Sequence, residues 1–207
     1  MGLLFLFFKD PLLLLILLFP LIYSIIIHEA AHGLVAYAFG DDTAKRYGRL
    51  TLNPLPHLDG MGLLLLLLIG FGWAKPVPVD YSKLKNFRVG LICVSLAGCL
   101  ANFLLALGAL LLMKKHIFDT QSVFYMMLYI LAKVNIILCA FNLIPIPPLD
   151  GSKILMGFLS VRAQVMFMRI EPYSLFILAA LLFLGILRPV IDIFQTVILR
   201  LVGIILR

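Results

Sequence analysis

The chain has 207 residues, of which 63% are hydrophobic and 13% charged, about half the ~25% charged share of a soluble domain. This excludes an ordinary soluble domain and predicts an all-α polytopic membrane protein, because helices satisfy their own backbone polar groups inside a bilayer. The formal net charge of +7 would suit a nucleic-acid partner. The basic residues are instead scattered over short connectors and fit a positive-inside topology, so the expected surroundings are a lipid bilayer and no nucleic acid.

In chain order, the apolar beginning lacks a positive n-region and is not read as a cleavable signal peptide. The first predicted span runs from about Pro11 to Phe39, longer than the ~20 residues a bilayer needs. Pro20 can kink it, or the span can tilt. Inside it lies His28-Glu29-Ala30-Ala31-His32. Residues four apart share a helix face, so His28 and His32 can bind one metal ion together. Glu29 stands where it can take a proton from a metal-bound water. An ionisable residue at the centre of a span costs about 2.5–3.5 kcal/mol on insertion scales. Three such groups close together demand a compensating function more than a chance core histidine does.

Gly40-Asp41-Asp42 closes this span, and Lys45-Arg46-Tyr47-Gly48-Arg49 reads as a cytoplasmic connector. Thr51 to Gly60 is rich in turn residues and includes His57 and Asp59. The apolar run Met61–Phe71 is about half the length a span requires. Basic residues flank it on both sides, so a re-entrant or short membrane-inserted element is expected between the first two full spans. The second full span is predicted at about Val89–Met113 and the third at about Val123–Leu143. Pro145, Pro147 and Pro148 then forbid a regular helix and lead into Leu149-Asp150-Gly151. A further apolar segment runs from Tyr173 to Leu187. The tail after Arg188-Pro189 is either another span or an interfacial helix. The total is about four to six transmembrane segments.

Lys45, Arg46, Arg49, Lys75, Lys83, Lys85, Arg88, Lys153, Arg162 and Arg169 place their connectors on the cytoplasmic side. From His32 to Gly40 the helix rises about 12 Å, so a metal would lie within the membrane, nearer its inner face. Cys93, Cys99 and Cys139 fall in apolar spans without zinc-binding spacing and read as small buried hydrophobes. Lys133, inside the third span, can snorkel, face a cavity or pair with a carboxylate.

A catalytic zinc usually takes three protein ligands and keeps one position for water. The candidates for the third are Asp59, Glu171 and Asp150. Asp150 suits best, because the third span returns to the side where the first ends and the proline break can keep Asp150 at the depth of the histidines. Two histidines and a carboxylate can also hold iron or cobalt.

These segments resemble the site-2 proteases, a family of intramembrane zinc metalloproteases, in their compact bacterial and archaeal branch without a PDZ domain. His28-Glu29-Ala30-Ala31-His32 is similar to the family's zinc motif. Asn142-Leu143-Ile144-Pro145 followed by Leu149-Asp150-Gly151 is similar to its second motif, whose Asp is the third ligand. Ser95-Leu96-Ala97-Gly98-Cys99-Leu100-Ala101-Asn102 resembles a third, whose Asn faces the active site. Gly40-Asp41, Asn53-Pro54 and Gly72-Trp73-Ala74-Lys75-Pro76-Val77-Pro78 look like the compact branch.

The resemblance implies one Zn2+ per chain, held by His28, His32 and Asp150, with Glu29 as the base that carries the proton to the leaving amine. Asn102 is expected to hydrogen-bond the substrate or the developing oxyanion, or else to serve interhelical packing. His57 is an auxiliary candidate, either lining the cavity or bonded to Asp59 in a turn. Cys99 and Gly60 stand where the family usually has proline. Residues 1–207 are expected to form one integral-membrane metalloprotease domain, with a catalytic core over about 11–160 and membrane segments over about 173–207. The implied substrate is a transmembrane protein or a signal peptide, and the implied setting a prokaryotic cell membrane. An extended substrate segment could add to an edge in the Thr51–Asp59 or Ala74–Asp80 regions. The rival readings are a CAAX-type protease with Glu171 as ligand, and a catalytically silent metal-binding scaffold or transporter. No internal repeat of the kind transporters carry is visible.

Overall fold

A computed structural model describes residues 3–69 and 72–207, and every regular element among them is helical. The short α1 (Leu3–Lys9) leads into α2 (Pro11–Ala38), a helix of 28 residues. Asp10 caps α2 by accepting the Leu13 N–H at 2.9 Å, and Pro11 fills the first helical position, where no N–H is needed. Next come α3 (Thr43–Arg46), a 3-10 turn at Leu55–His57 and α4 (Gly60–Ile69). At ten residues, α4 is about 15 Å long and cannot cross a bilayer, as its half-length apolar run predicts. The end of that run, residues 70 and 71, lies outside the described residues.

A strap without regular secondary structure over 72–80 leads through a 3-10 turn (Tyr81–Lys83) into α5 (Phe87–Lys114) and α6 (Val123–Asn142). Beyond the proline break lie α7 (Asp150–Phe158), α8 (Val161–Ile170), α9 (Ser174–Phe183) and α10 (Arg188–Ile205). Pro11–Ala38, Phe87–Lys114, Val123–Asn142 and the stretch Val161–Phe183 are long and apolar enough to cross a membrane. The first three agree with the predicted spans to within two residues at either end. The fourth differs from the predicted Tyr173–Leu187. A 3-10 turn at Glu171–Tyr173, around Pro172, divides it into α8 and α9.

Helices α2, α5 and α6 form the centre, with α5 antiparallel to both others. The tail, α10, lies along this bundle. Its Ile198 and Val202 are buried against Cys99 and Ala106 of α5 and Ile136, Cys139 and Ala140 of α6. Small residues such as Ala97, Gly98, Ala106 and Ala109 let neighbouring helices approach closely. The burial pattern inverts that of a soluble protein. Ser24, Asn102 and Asn135 are fully buried, while Leu100 is 57% and Phe183 92% exposed. Apolar side chains facing outward and polar ones facing inward suit a lipid surround. Lys133 points outward from α6.

Candidate metal centre

His28 and His32 are presented by one face of α2, toward α5. Each ring is held through its Nδ1. His28 Nδ1 lies 2.7 Å from Asn102 Oδ1, and His32 Nδ1 lies 2.7 Å from the Val94 carbonyl oxygen. A carbonyl oxygen only accepts, so both Nδ1 atoms carry the proton and donate, which in the neutral rings leaves both Nε2 atoms as lone pairs. These two nitrogens stand 3.0 Å apart. Asp150 Oδ2 lies 3.1 Å from His28 Nε2 and 3.2 Å from His32 Nε2. It has no hydrogen-bond donor of its own, although it is buried.

Three acceptors therefore face one another with no proton between them, an arrangement that a cation relieves. Ligand atoms around a tetrahedral zinc stand about 3.3–3.6 Å apart, so the observed triangle is slightly tight but of the right shape. Among the described residues these are the three whose donor atoms come together in this way. Gly98 forms the floor. A Cβ there would lie 2.4 Å from His28 Cε1 and 2.5 Å from His32 Nε2, so only glycine lets α5 approach the imidazoles.

Asp150 reaches the site because α6 ends at Asn142 and the chain turns through Pro145–Pro148 before α7 begins at Asp150 itself. A carboxylate is favoured at a helix N-terminus. Gly151 packs against the end of α6, where a Cβ would come within 2.3 Å of the Leu143 carbonyl oxygen.

A mostly polar cavity of about 150 Å³ opens on the triangle, lined in part by Glu29, Val77, Tyr81, Asn142 and Lys153. Glu29 Oε2 accepts the Val77 N–H at 2.8 Å. The strap carrying Val77 is clamped in turn, because Arg49 donates to the carbonyls of Lys75 and Pro76, at 2.5 and 3.1 Å. Val77, Tyr81 and Lys153 escape sequence reasoning. Only their proximity to Glu29 and Asp150 in the fold marks them.

Asn102 lies behind His28 and outside the cavity lining. Its oxygen faces His28, its nitrogen donates to Asn135 Oδ1 at 2.9 Å, and it is fully buried. His57 is also buried. Its Nε2 bonds the Thr51 carbonyl at 3.0 Å, and its own carbonyl accepts the Lys75 N–H at 2.8 Å. It does not bond Asp59, which caps α4 by accepting the Gly62 N–H at 2.8 Å. Glu171 lies outside the triangle and lines a neighbouring cavity with Phe167 and Met168.

The model of Peptidase family M50 matches residues 115–185. YwhC of Bacillus subtilis is 40% identical over 172 residues, covering 80% of this chain and 78% of its own. Rip2 of Mycolicibacterium smegmatis is 32% identical over 146 residues, covering 68% of this chain and 56% of its own. MJ0392 of Methanocaldococcus jannaschii is 31% identical over 147 residues, covering 71% of this chain and 35% of its own. YwhC and Rip2 carry the zinc-metalloprotease name provisionally, and MJ0392 carries it without qualification. No solved structure matches.

Proposed function

Given that this chain belongs to peptidase family M50 and is a zinc metalloendopeptidase, we propose that it hydrolyses a peptide bond within or beside a transmembrane helix of a membrane-protein substrate. In this reading His28, His32 and Asp150 hold the zinc. When bound, zinc supplies an acidified water and a polarised scissile carbonyl. The observation that carries the assignment is the buried triangle of three acceptors, 3.0–3.2 Å on a side.

Glu29 takes the proton from the attacking water and delivers it to the leaving amine. The Val77 N–H holds one carboxylate oxygen and so sets the orientation of the other. Asn102 acts on His28, because both ends of its amide are engaged within the protein. His57 supports the strap through Lys75.

A transmembrane helix hides its carbonyls in internal hydrogen bonds, so the substrate unwinds locally before attack. The strap over 72–80 offers a backbone edge along which an unwound segment can lie. An apolar cavity of about 370 Å³ between α2, α4 and α6, lined in part by Ile22, Ile25, Leu63, Leu66 and Phe141, gives apolar substrate side chains a place near the site. The substrate is a transmembrane protein undergoing regulated cleavage or a leftover signal peptide. The setting is a prokaryotic cell membrane, with the site nearer the cytoplasmic face, and residues 1–207 act as one domain.

The test is cleavage of a model single-span substrate by purified protein, with Glu29→Gln alongside and zinc quantified in both. Wild type is expected to cut and Glu29→Gln to lose about 10²–10⁴-fold in rate, the typical contribution of general acid–base catalysis, with zinc retained by both. Zinc without cleavage of any spanning substrate would favour a silent scaffold. Protein that binds no metal would overturn the reading.

A further inference from the structure

Behind His28 runs a line of buried polar groups drawn from all three central helices. Asn102 on α5 is bonded to Asn135 on α6. Asn135 Nδ2 donates to Ser24 Oγ on α2 at 2.7 Å and to the Leu131 carbonyl at 2.8 Å. Ser24 Oγ reaches the Pro20 carbonyl at 2.5 Å. Ser24, Asn102 and Asn135 are each fully buried, so water does not compete for these bonds.

The direction of every bond in this line is determined from its far end. The carbonyls of Pro20 and Leu131 can only accept. Ser24 therefore gives its one proton to Pro20 and must accept from Asn135. Asn135 turns its nitrogen to Ser24 and Leu131, and its oxygen to Asn102. Asn102 then presents its nitrogen to Asn135 and its oxygen to His28. A proton is thereby required on His28 Nδ1, and a lone pair on Nε2. Were Asn102 flipped, its NH2 would face Nδ1. The proton would then move to Nε2, where the metal has to bind. His32 needs no such line, because its Nδ1 donates straight to a backbone carbonyl.

We infer that Asn135 and Ser24 are positioning residues of the metal centre, which hold His28 in its metal-binding tautomer by fixing the orientation of the Asn102 amide between them and the ring. The inference rests on the reading of His28 Nε2 as a metal ligand. The competing view is that these residues serve only interhelical packing, as buried Asn and Ser commonly do in membrane bundles.

The two are separated with the full chain in detergent. Three quantities are measured: zinc affinity by chelator competition, the thermal midpoint of the metal-free protein, and the His28 tautomer by ¹⁵N NMR without metal. Metal-free wild type is expected to carry the His28 proton on Nδ1. Asn135→Leu is expected to weaken zinc binding about 10–100-fold, the usual effect of losing a group that orients a metal-binding histidine, and to give a mixture of tautomers. Ser24→Ala, which leaves the Leu131 anchor in place, is expected to lose less. Asn135→Asp is expected to restore most of the affinity, because a protonated carboxyl offers the same acceptor to Asn102 and the same donor to Ser24. A packing role alone would lower the metal-free midpoint and leave affinity and tautomer unchanged, and that result overturns the inference. A His28 ring in wild type that is neutral and carries its proton on Nε2 instead of Nδ1 overturns it too. If Asn135→Leu does not fold, Ser24→Ala and the wild-type tautomer decide the question. His28→Ala is run beside them. If it leaves zinc binding intact, the ligand reading itself has failed, a result distinct from unaffected Asn135 and Ser24 variants in a protein that needs His28.

Discussion

His28 and His32 stand on an unbroken helix of 28 residues, whereas Asp150 is the first residue of a nine-residue helix that follows a proline-rich break. The long helix fixes the spacing of the two imidazoles through its own pitch, and its contact with α5 fixes their depth. The aspartate is located from two sides, because Gly151 abuts the end of α6 and α7 packs along α5, where Gly157 lies against Ile92. Two proposed ligands thus share one helix, and the third is carried by a separate short helix packed on α5.

Substitution of the two close-packed glycines breaks this contrast most directly. Gly98→Ala drives a methyl against both imidazoles, and two long packed helices cannot part to relieve it. Overpacking of this kind costs about 1–3 kcal/mol, or about 5- to 140-fold in binding at ~1.4 kcal/mol per tenfold. The upper end of that range is expected for zinc affinity, together with a lower thermal midpoint. Gly151→Ala meets the Leu143 and Ile144 backbone carbonyls at 2.3 and 2.5 Å, so the start of α7 has to shift and displaces Asp150 alone. A smaller loss of zinc affinity is expected, at the lower end of the same range, because one proposed ligand moves rather than two, with a smaller fall in the midpoint. Equal losses of midpoint in the two variants would show that the arms are equally rigid.

The smallest effect expected is a dependence on pH at the C-terminal end of the histidine-bearing helix. Asp41 follows α2 and accepts the Asp80 N–H at 2.7 Å and the Thr43 N–H at 3.0 Å, and so ties α2 to the end of the strap. Burial pushes its carboxyl up, but the Thr43 hydroxyl and the Asp80 and Thr43 amides hold it below the ordinary range. The folded value lies under the unfolded one of about 3.9. The stabilisation is therefore fully present above that pH and is lost as pH falls through the folded value. The thermal midpoint should decline in acid, and Asp41→Asn should flatten that decline. Parallel curves for the two proteins would remove Asp41 from the account.

Much of this was legible in the chain because it is local. The 3.6-residue pitch makes His28 and His32 neighbours whatever surrounds them, and Pro145–Pro148 marks where α6 must stop. The ten residues of α4 are too few to span wherever they lie. What stayed hidden depends on residues far apart in sequence. Asn102 reads equally as a substrate contact or a packing residue, and only the fold shows His28 and Asn135 engaging the two ends of its amide. Val77 carries no side-chain chemistry, and its amide matters only because Arg49 and His57 bring the strap across to Glu29. Pro172 marks the start of an apolar segment in the sequence, but residues 161–170 before it read as a connector, and only the structure shows them as α8.

The path of α10 has one more consequence. It starts beside Ile144 and Leu149, where Val190 and Ile191 pack, and finishes where the Lys114 ammonium bonds the Leu206 carbonyl at the far end of α5. It therefore runs the full depth of the bundle, opposite in sense to α6. Leu178 of α9 and Leu187 pack in that same Ile144–Leu149 corner. The start of α2 and the end of α10 therefore lie at the same face of the bundle, opposite α7 and the proposed aspartate ligand. Compartment reporters joined at these two ends should light up together.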